Sequence, residues 1–159
     1  MNIFVLDNDP RTAAQYHCDK HVVKMVLETA QILCSVNHEA GRPAPYRKTH
    51  VNHPCTVWAR ASSANYAWLV ELGKALSDEY TWRYGKTHKS SAVIDLLTSP
   101  PDGIPRGPLT PFALAMPEQY RCDDPVQSYR DYYVKEKGHI LSYKRRNTPD
   151  FVNLPVVTA

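Results

Sequence analysis

The chain has 159 residues, with 19 Lys and Arg against 16 Asp and Glu, 7 His and a formal charge of +3. That length buries a sizeable core without disulfides or metal, and the mixed composition excludes a disordered polyelectrolyte. The mild positive balance fits a polyanionic partner without requiring one. No run of 18 apolar residues occurs, so no membrane-spanning helix is expected, and Met1 to Asp9 lacks the basic region and long apolar run of a signal peptide. Cys18, Cys34, Cys55 and Cys122 are scattered without a C-x-x-C pair, which predicts reduced thiols and a cytosolic chain. We expect a mainly α-helical fold, a single compact helical domain over residues 1–159 with a short extended N-terminal segment.

Residues 2–6, Asn-Ile-Phe-Val-Leu, form a short apolar run suited to a small strand or a buried extended arm. Asp9-Pro10 pairs an N-cap with proline at the first helical position and predicts a short helix to Tyr16 or His17. Asp19 is the expected N-cap of the main helix, which should reach about Asn37 before His38-Glu39-Ala40-Gly41-Arg42-Pro43 ends it. At about 100° per residue, His21, Lys24, Glu28, Gln31 and Ser35 share one narrow arc. Val22, Val23, Met25, Val26, Ala30, Ile32, Leu33, Cys34 and Val36 cover most of the remaining girth. An ordinary surface helix shows the reverse proportion. This helix should therefore be buried over most of its circumference, with a titratable edge turned to a cleft.

Residues 41–56 are irregular and bring Arg42, Arg47, Lys48, His50 and His53 together with Tyr46 between two long helices, where binding residues tend to lie. Thr56 to Tyr84 is the longest periodic segment, with Trp58, Ala61, Trp68, Leu69, Leu72, Leu76 and Tyr80 at helical spacing. Asn65 falls on its apolar side and needs polar partners there, either a ligand or a neighbouring turn. Arg83-Tyr84-Gly85-Lys86 closes it with a cation in the last turn and glycine just beyond. Residues 86–110 read as an extended Pro/Gly-rich excursion around a short apolar piece, Ala92 to Leu97, followed by a short helix over Pro111–Met116. Asp124-Pro125 repeats the helix-start signature and predicts a helix to about Lys137. The tail adds His139, Tyr143, Lys144, Arg145 and Arg146 and then a Pro-interrupted apolar end.

Three chemistries are open to these residues. Glu28 and Lys24, one turn apart, offer an acid or base and an amine nucleophile, or else only an i, i+4 salt bridge. His17, His21, His50 and His53 offer donors to a metal, as in a metal-dependent hydrolase. However, His17 and His21 do not form H-E-x-x-H, and a helix break at Asp19 would part them, so no metal site is expected. Arg47, Lys48, His50, His53, Arg60, Arg83 and Lys86, interleaved with tyrosines, suit a surface that neutralises phosphates and stacks on an exposed base. A G-x-S-x-G nucleophile, a phosphate-cradling loop and a dinucleotide fingerprint are absent, so no cofactor is expected.

The blocks Asn2 to Asp7, Ala13-Ala14-Gln15, Cys18-Asp19-Lys20-His21, His50-Val51-Asn52-His53-Pro54, Trp58-Ala59-Arg60 and Arg83-Tyr84-Gly85-Lys86 resemble small uncharacterised proteins of tailed phages. Ala14-Gln15-Tyr16-His17, His53-Pro54 and Arg83-Tyr84-Gly85 also resemble, in order and spacing, the pyrimidine-dimer DNA glycosylases of the endonuclease V type. That resemblance implies a small helical protein in which the N-terminal amine forms a Schiff base with deoxyribose, assisted by a glutamate on the first long helix. Here the glutamate's place falls near Lys24, with Glu28 one turn later, and Met1 precedes Asn2, so the initiator should be retained. The amine is then that of Met1, or Lys24, or none.

The reading that unites these features is a glycosylase/AP-lyase-like enzyme acting on modified or damaged pyrimidines. Glu28, Lys24, His21 and His17 would form its catalytic centre, and Arg47, Lys48, His50, His53, Arg60, Arg83 and Lys86 its DNA contacts. A metal-dependent hydrolase and a non-catalytic phage protein that binds a nucleotide or a host partner are the alternatives. DNA or a nucleotide is the expected partner, a membrane is not, and the host cytoplasm is the expected setting.

Overall fold

Helix α1 (Pro10–Tyr16) starts as its sequence dictates: Asp9 accepts from the Thr12 N–H at 3.0 Å, and Pro10 supplies a preset φ. The computed structural model describes residues 1–153. After α1 come α2 (Asp19–Glu39), α3 (Pro54–Ala61), α4 (Ser63–Tyr84), α5 (Ser91–Leu96), α6 (Pro125–Lys137) and α7 (Asp150–Asn153). Short 3-10 turns occupy Glu118–Tyr120 and Gly138–Ile140. The fold is helical, with no strand among the described residues.

Helix α2 packs along α4, and both touch α5. The close approach requires glycine at position 73. A Cβ there would lie 2.8 Å from Thr29 Cγ2 and 3.0 Å from Ile94 Cδ1. As its composition predicts, α2 is buried over most of its girth, although Val23 is exposed. Its start differs from expectation. Cys18 holds the cap position, and Asp19 turns its carboxylate to the returning tail, accepting from the Lys144 N–H, Ser142 Oγ and Arg83.

Residues 1–6 form a buried extended arm rather than a strand. Ile3, Phe4, Val5 and Leu6 are all buried, and Phe4 stacks on His21 with ring centroids 4.7 Å apart. Arg130 of α6 ties the arm's far end by donating to Leu6 O at 2.8 Å and to Asp7 Oδ1 at 3.0 Å.

The predicted continuous helix over residues 56–84 is two helices. Ser62 adopts an extended backbone and caps α4, accepting from the Asn65 N–H at 3.1 Å. The Pro/Gly excursion supplies the acceptors that make this break favourable: Ser63 N–H donates to Pro105 O and Ala64 N–H to Gly107 O. Asn65 pins this turn, donating to Trp58 O and Thr110 Oγ1 and accepting from the Thr110 N–H. Gly85, at φ 71°, ends α4 in the left-handed conformation its position predicts.

The helix predicted over Pro111–Met116 does not form. The polar groups of that segment bond outward instead: Ala113 O accepts from the Tyr129 hydroxyl, Ala115 O from Asn2 and Met116 O from Arg121. Helix α6 spans Pro125–Lys137 as expected, capped by Asp124. The Pro-interrupted apolar end lies outside the described residues.

Replacing Gly73 by alanine should destabilise the protein by roughly 1–3 kcal/mol, despite the better helix propensity of alanine. Urea unfolding measures it, and an unchanged midpoint would show that Thr29 and Ile94 yield freely.

Candidate active site

The buried arm brings the start of the chain to the middle of α2. The Met1 amine lies 3.1 Å from Glu28 Oε1, with the Met1 side chain 3% and that of Glu28 10% exposed. A carboxylate withdrawn from water needs a charged or hydrogen-bonded partner. The amine is the ion-pair partner that Glu28 has among the described residues. Lys24, one turn away, does not pair with it and points to solvent.

The start of α3 lies close enough to the amine for its charge to act on His53 and Cys55. His53 caps that helix, its Nδ1 accepting from the Cys55 N–H at 3.1 Å. An acceptor at Nδ1 places the proton of the neutral ring on Nε2. Burial, and next the neighbouring Met1 amine, push the His53 pKa down. The Cys55 thiol is pushed up to about 11, chiefly by burial, and stays protonated. It donates to Asn2 Oδ1 at 3.4 Å.

His17 and His21 sit beneath the arm. His17 is fully buried, its Nδ1–H donates to Ala13 O at 2.6 Å, and its Nε2 has no partner among the described residues. Burial lowers its pKa to about 4. His21 lies between the ring of Phe4 and the Tyr133 hydroxyl, 2.8 Å from Nδ1. Burial, reinforced by His17, Lys137 and Lys24, lowers its pKa to about 3. Both rings are therefore neutral and structural in setting, and neither contacts the Met1–Glu28 pair by hydrogen bond.

The predicted phosphate-binding cations divide into two groups. Arg83 is buried and cannot reach a phosphate. Its Nε donates to Glu79, Nη1 to Asp19 and His17 O, and Nη2 to Gln15 O. Arg60 donates to Val51 O and braces the loop before α3. Arg47, Lys48, His50 and Lys86 are exposed, Lys48 pairing with Glu39 at 3.1 Å. His50 takes φ 49° and lies 2.7 Å from Thr49 Oγ1 through its Nδ1. Arg47 borders an open groove of about 530 Å³ lined also by Leu27 and Gln31 of α2, Tyr46 and Thr49.

The four histidines proposed as metal donors are not brought together. Among the described residues, no group of three His, Cys, Asp or Glu could hold a metal ion. No described helix is long and apolar enough to cross a membrane. Sequence reasoning missed Asn2, Cys55 and Tyr133, because nothing local marks residues whose partners lie 53 to 115 positions away.

A terminal amine facing a helix-borne carboxylate is the arrangement that the resemblance to the dimer glycosylases anticipates. The model of the pyrimidine dimer DNA glycosylase family matches residues 1–92. The chain belongs to this family. Its function is glycosylase-like, directed at damaged pyrimidines in DNA, which is its substrate, and belongs to DNA repair. Every catalytic and DNA-contact candidate named above lies within the matched span, whereas α6 and the tail lie beyond it. No curated protein and no solved structure matches the chain significantly.

The neutral buried histidines make stability pH-dependent. Their folded pKa values lie below the ordinary value of 6.5, so the unfolded chain binds protons first as pH falls. Stability should be full above pH 6.5 and decline towards pH 4 and 3, by up to about 1.4 kcal/mol per pH unit for each ring. Urea midpoints between pH 7.5 and 5 should fall, and a flat profile would show that the rings are not held neutral.

Proposed function

We propose that the Met1 α-amine is the nucleophile of a glycosylase/AP-lyase reaction and that Glu28 handles its proton. The observation that supports this most directly is the 3.1 Å approach of the amine to Glu28 Oε1 in a shielded site. An amine nucleophile needs a base at hydrogen-bonding distance and exclusion of bulk water, and both conditions are met.

In this reading Glu28 first takes a proton from the Met1 ammonium, and the freed lone pair attacks C1′ of the damaged nucleotide. The glycosidic C1′–N bond breaks, and the pyrimidine leaves with that electron pair and takes up the proton held by Glu28. The attached nitrogen loses a proton to Glu28, which returns one to O4′ as the sugar ring opens to the iminium. Glu28, again a carboxylate, then takes a C2′ proton, and the electron pair released expels the 3′ phosphate by breaking the C3′–O bond. Water hydrolyses the remaining imine and frees the amine.

The surface cations fit the accompanying DNA contacts. Lys24, Arg47, Lys48, His50 and Lys86 are exposed, Arg47 at the groove and Lys86 just beyond α4, and can neutralise phosphates. His53, which the charge of the amine reaches, keeps an Nε2–H free to donate in this reading. Arg60 and Arg83 act indirectly, holding the loop and the helix ends that present the others. His17 and His21 support the arm from below.

Borohydride trapping on duplex DNA carrying a pyrimidine dimer or an abasic site tests this assignment. The reduced adduct should map to the Met1 peptide, vanish when the amine is acetylated and survive Lys24→Ala. Glu28→Gln should slow its formation about 100-fold or more. An adduct on Lys24 would reassign the nucleophile, and no adduct on either substrate would overturn the Schiff-base route.

A further inference from the structure

A chain terminus is ordinarily among the most mobile parts of a protein. A terminal amine that must meet C1′ therefore needs an anchor within a residue or two. In this molecule the anchor is the side-chain amide of Asn2. Its Nδ2 donates to Ala115 O at 3.1 Å, while its Oδ1 accepts from the Ile3 N–H at 2.7 Å and from Cys55 Sγ at 3.4 Å. Three directions are thereby fixed: the C-terminal half, the arm itself and α3.

Each support is itself held. The Tyr129 hydroxyl donates to Ala113 O at 2.5 Å and accepts from the Ala115 N–H at 3.3 Å, and Tyr129 is fully buried. Cys55 is buried and protonated, which keeps it a donor, and its backbone N–H is bonded to His53. Asn2 thus sits where α3, the 113–116 segment and the arm converge, one residue from the reactive nitrogen.

We infer that Asn2 is a positioning residue that aims the Met1 amine at Glu28 and at the sugar, with Cys55 as its second support. The inference rests on the reading of the Met1 amine as nucleophile. A small side chain at position 2 would favour enzymatic removal of an initiator methionine, which the bulk of asparagine does not. Variants that test the anchor must keep that bulk, which excludes alanine.

The test is single-turnover formation of the borohydride-trapped adduct on saturating abasic duplex, with DNA affinity measured separately by fluorescence anisotropy. Wild type, Asn2→Leu, Asn2→Asp, Cys55→Ala and Cys55→Ser are compared, each checked by mass for an intact Met1. Asn2→Leu should slow adduct formation about 100-fold with affinity changed less than about twofold, the signature of a reacting group displaced by an ångström or so. Cys55→Ala should slow it by about tenfold, and Cys55→Ser, which keeps a donor, should restore it.

Asn2→Asp gives a second readout that a merely structural role would not move. The amine faces Glu28 from α2 and His53 and Cys55 from α3, while residues 113–116 bring no charge. A further carboxylate there favours the protonated amine, so the pH profile of adduct formation should shift upward. An adduct on Met1 that forms at the wild-type rate in Asn2→Leu and Cys55→Ala overturns the positioning role and leaves the nucleophile assignment standing. No wild-type adduct, or one mapped elsewhere, overturns both. Should Asn2→Leu fail to fold, the Cys55 pair, which differs by a single atom, decides the question.

Discussion

A terminal amine and a carboxylate 3.1 Å apart, both drawn out of bulk water, set the terms for the rest of this molecule. Removing such charges from water costs several kcal/mol for each, and contact distance is needed to offset it. The arm that delivers the amine must therefore be held as firmly as the helix that delivers the carboxylate. Burial of Ile3, Phe4, Val5 and Leu6 supplies that hold, at roughly 1.5–3 kcal/mol for each large apolar side chain. The stack of Phe4 on His21 then fixes the arm's register along α2.

The matched family span ends at residue 92, yet much of the frame around the amine comes from beyond it. Arg130 holds Leu6 and Asp7, Tyr133 bonds the Cys18 N–H and His21, and Ala115 receives Asn2. The C-terminal part thus closes over the N-terminal arm and makes it a structural member of the core.

A second buried charge network steadies the start of α2. Asp19 and Glu79 face Arg83 and Arg146, two carboxylates against two guanidinium groups. Balanced and hydrogen-bonded, such a set is tolerated in the interior, whereas removal of one partner would strand a charge. Because Asp19 also accepts the Lys144 N–H, the network fastens the returning tail to the helix that carries Glu28. Arg83 reads as a phosphate contact in the linear chain because it closes a helix among other cations. Its burial gives it this other task, whereas Lys24, Arg47, Lys48 and Lys86 are exposed.

What could be read from the linear chain was whatever short-range physics specifies. Asp9-Pro10 and Asp124-Pro125 announce helix starts, Gly85 announces a stop, and the 3.6-residue period of residues 19–37 announces a buried helix with Glu28 on its edge. Local patterns also placed Met1 among the candidate amines, by resemblance. They could not break the 56–84 helix at Ser62, because the acceptors that stabilise that break come from Pro105 and Gly107. Nor could they deny a helix to residues 111–116, whose carbonyls are claimed by Tyr129, Asn2 and Arg121. The choice between Met1 and Lys24 as partner of Glu28 was likewise tertiary. Periodicity puts Lys24 one turn from Glu28, but only the path of the buried arm, fixed by contacts more than a hundred residues apart, delivers the amine to the carboxylate and leaves Lys24 in water.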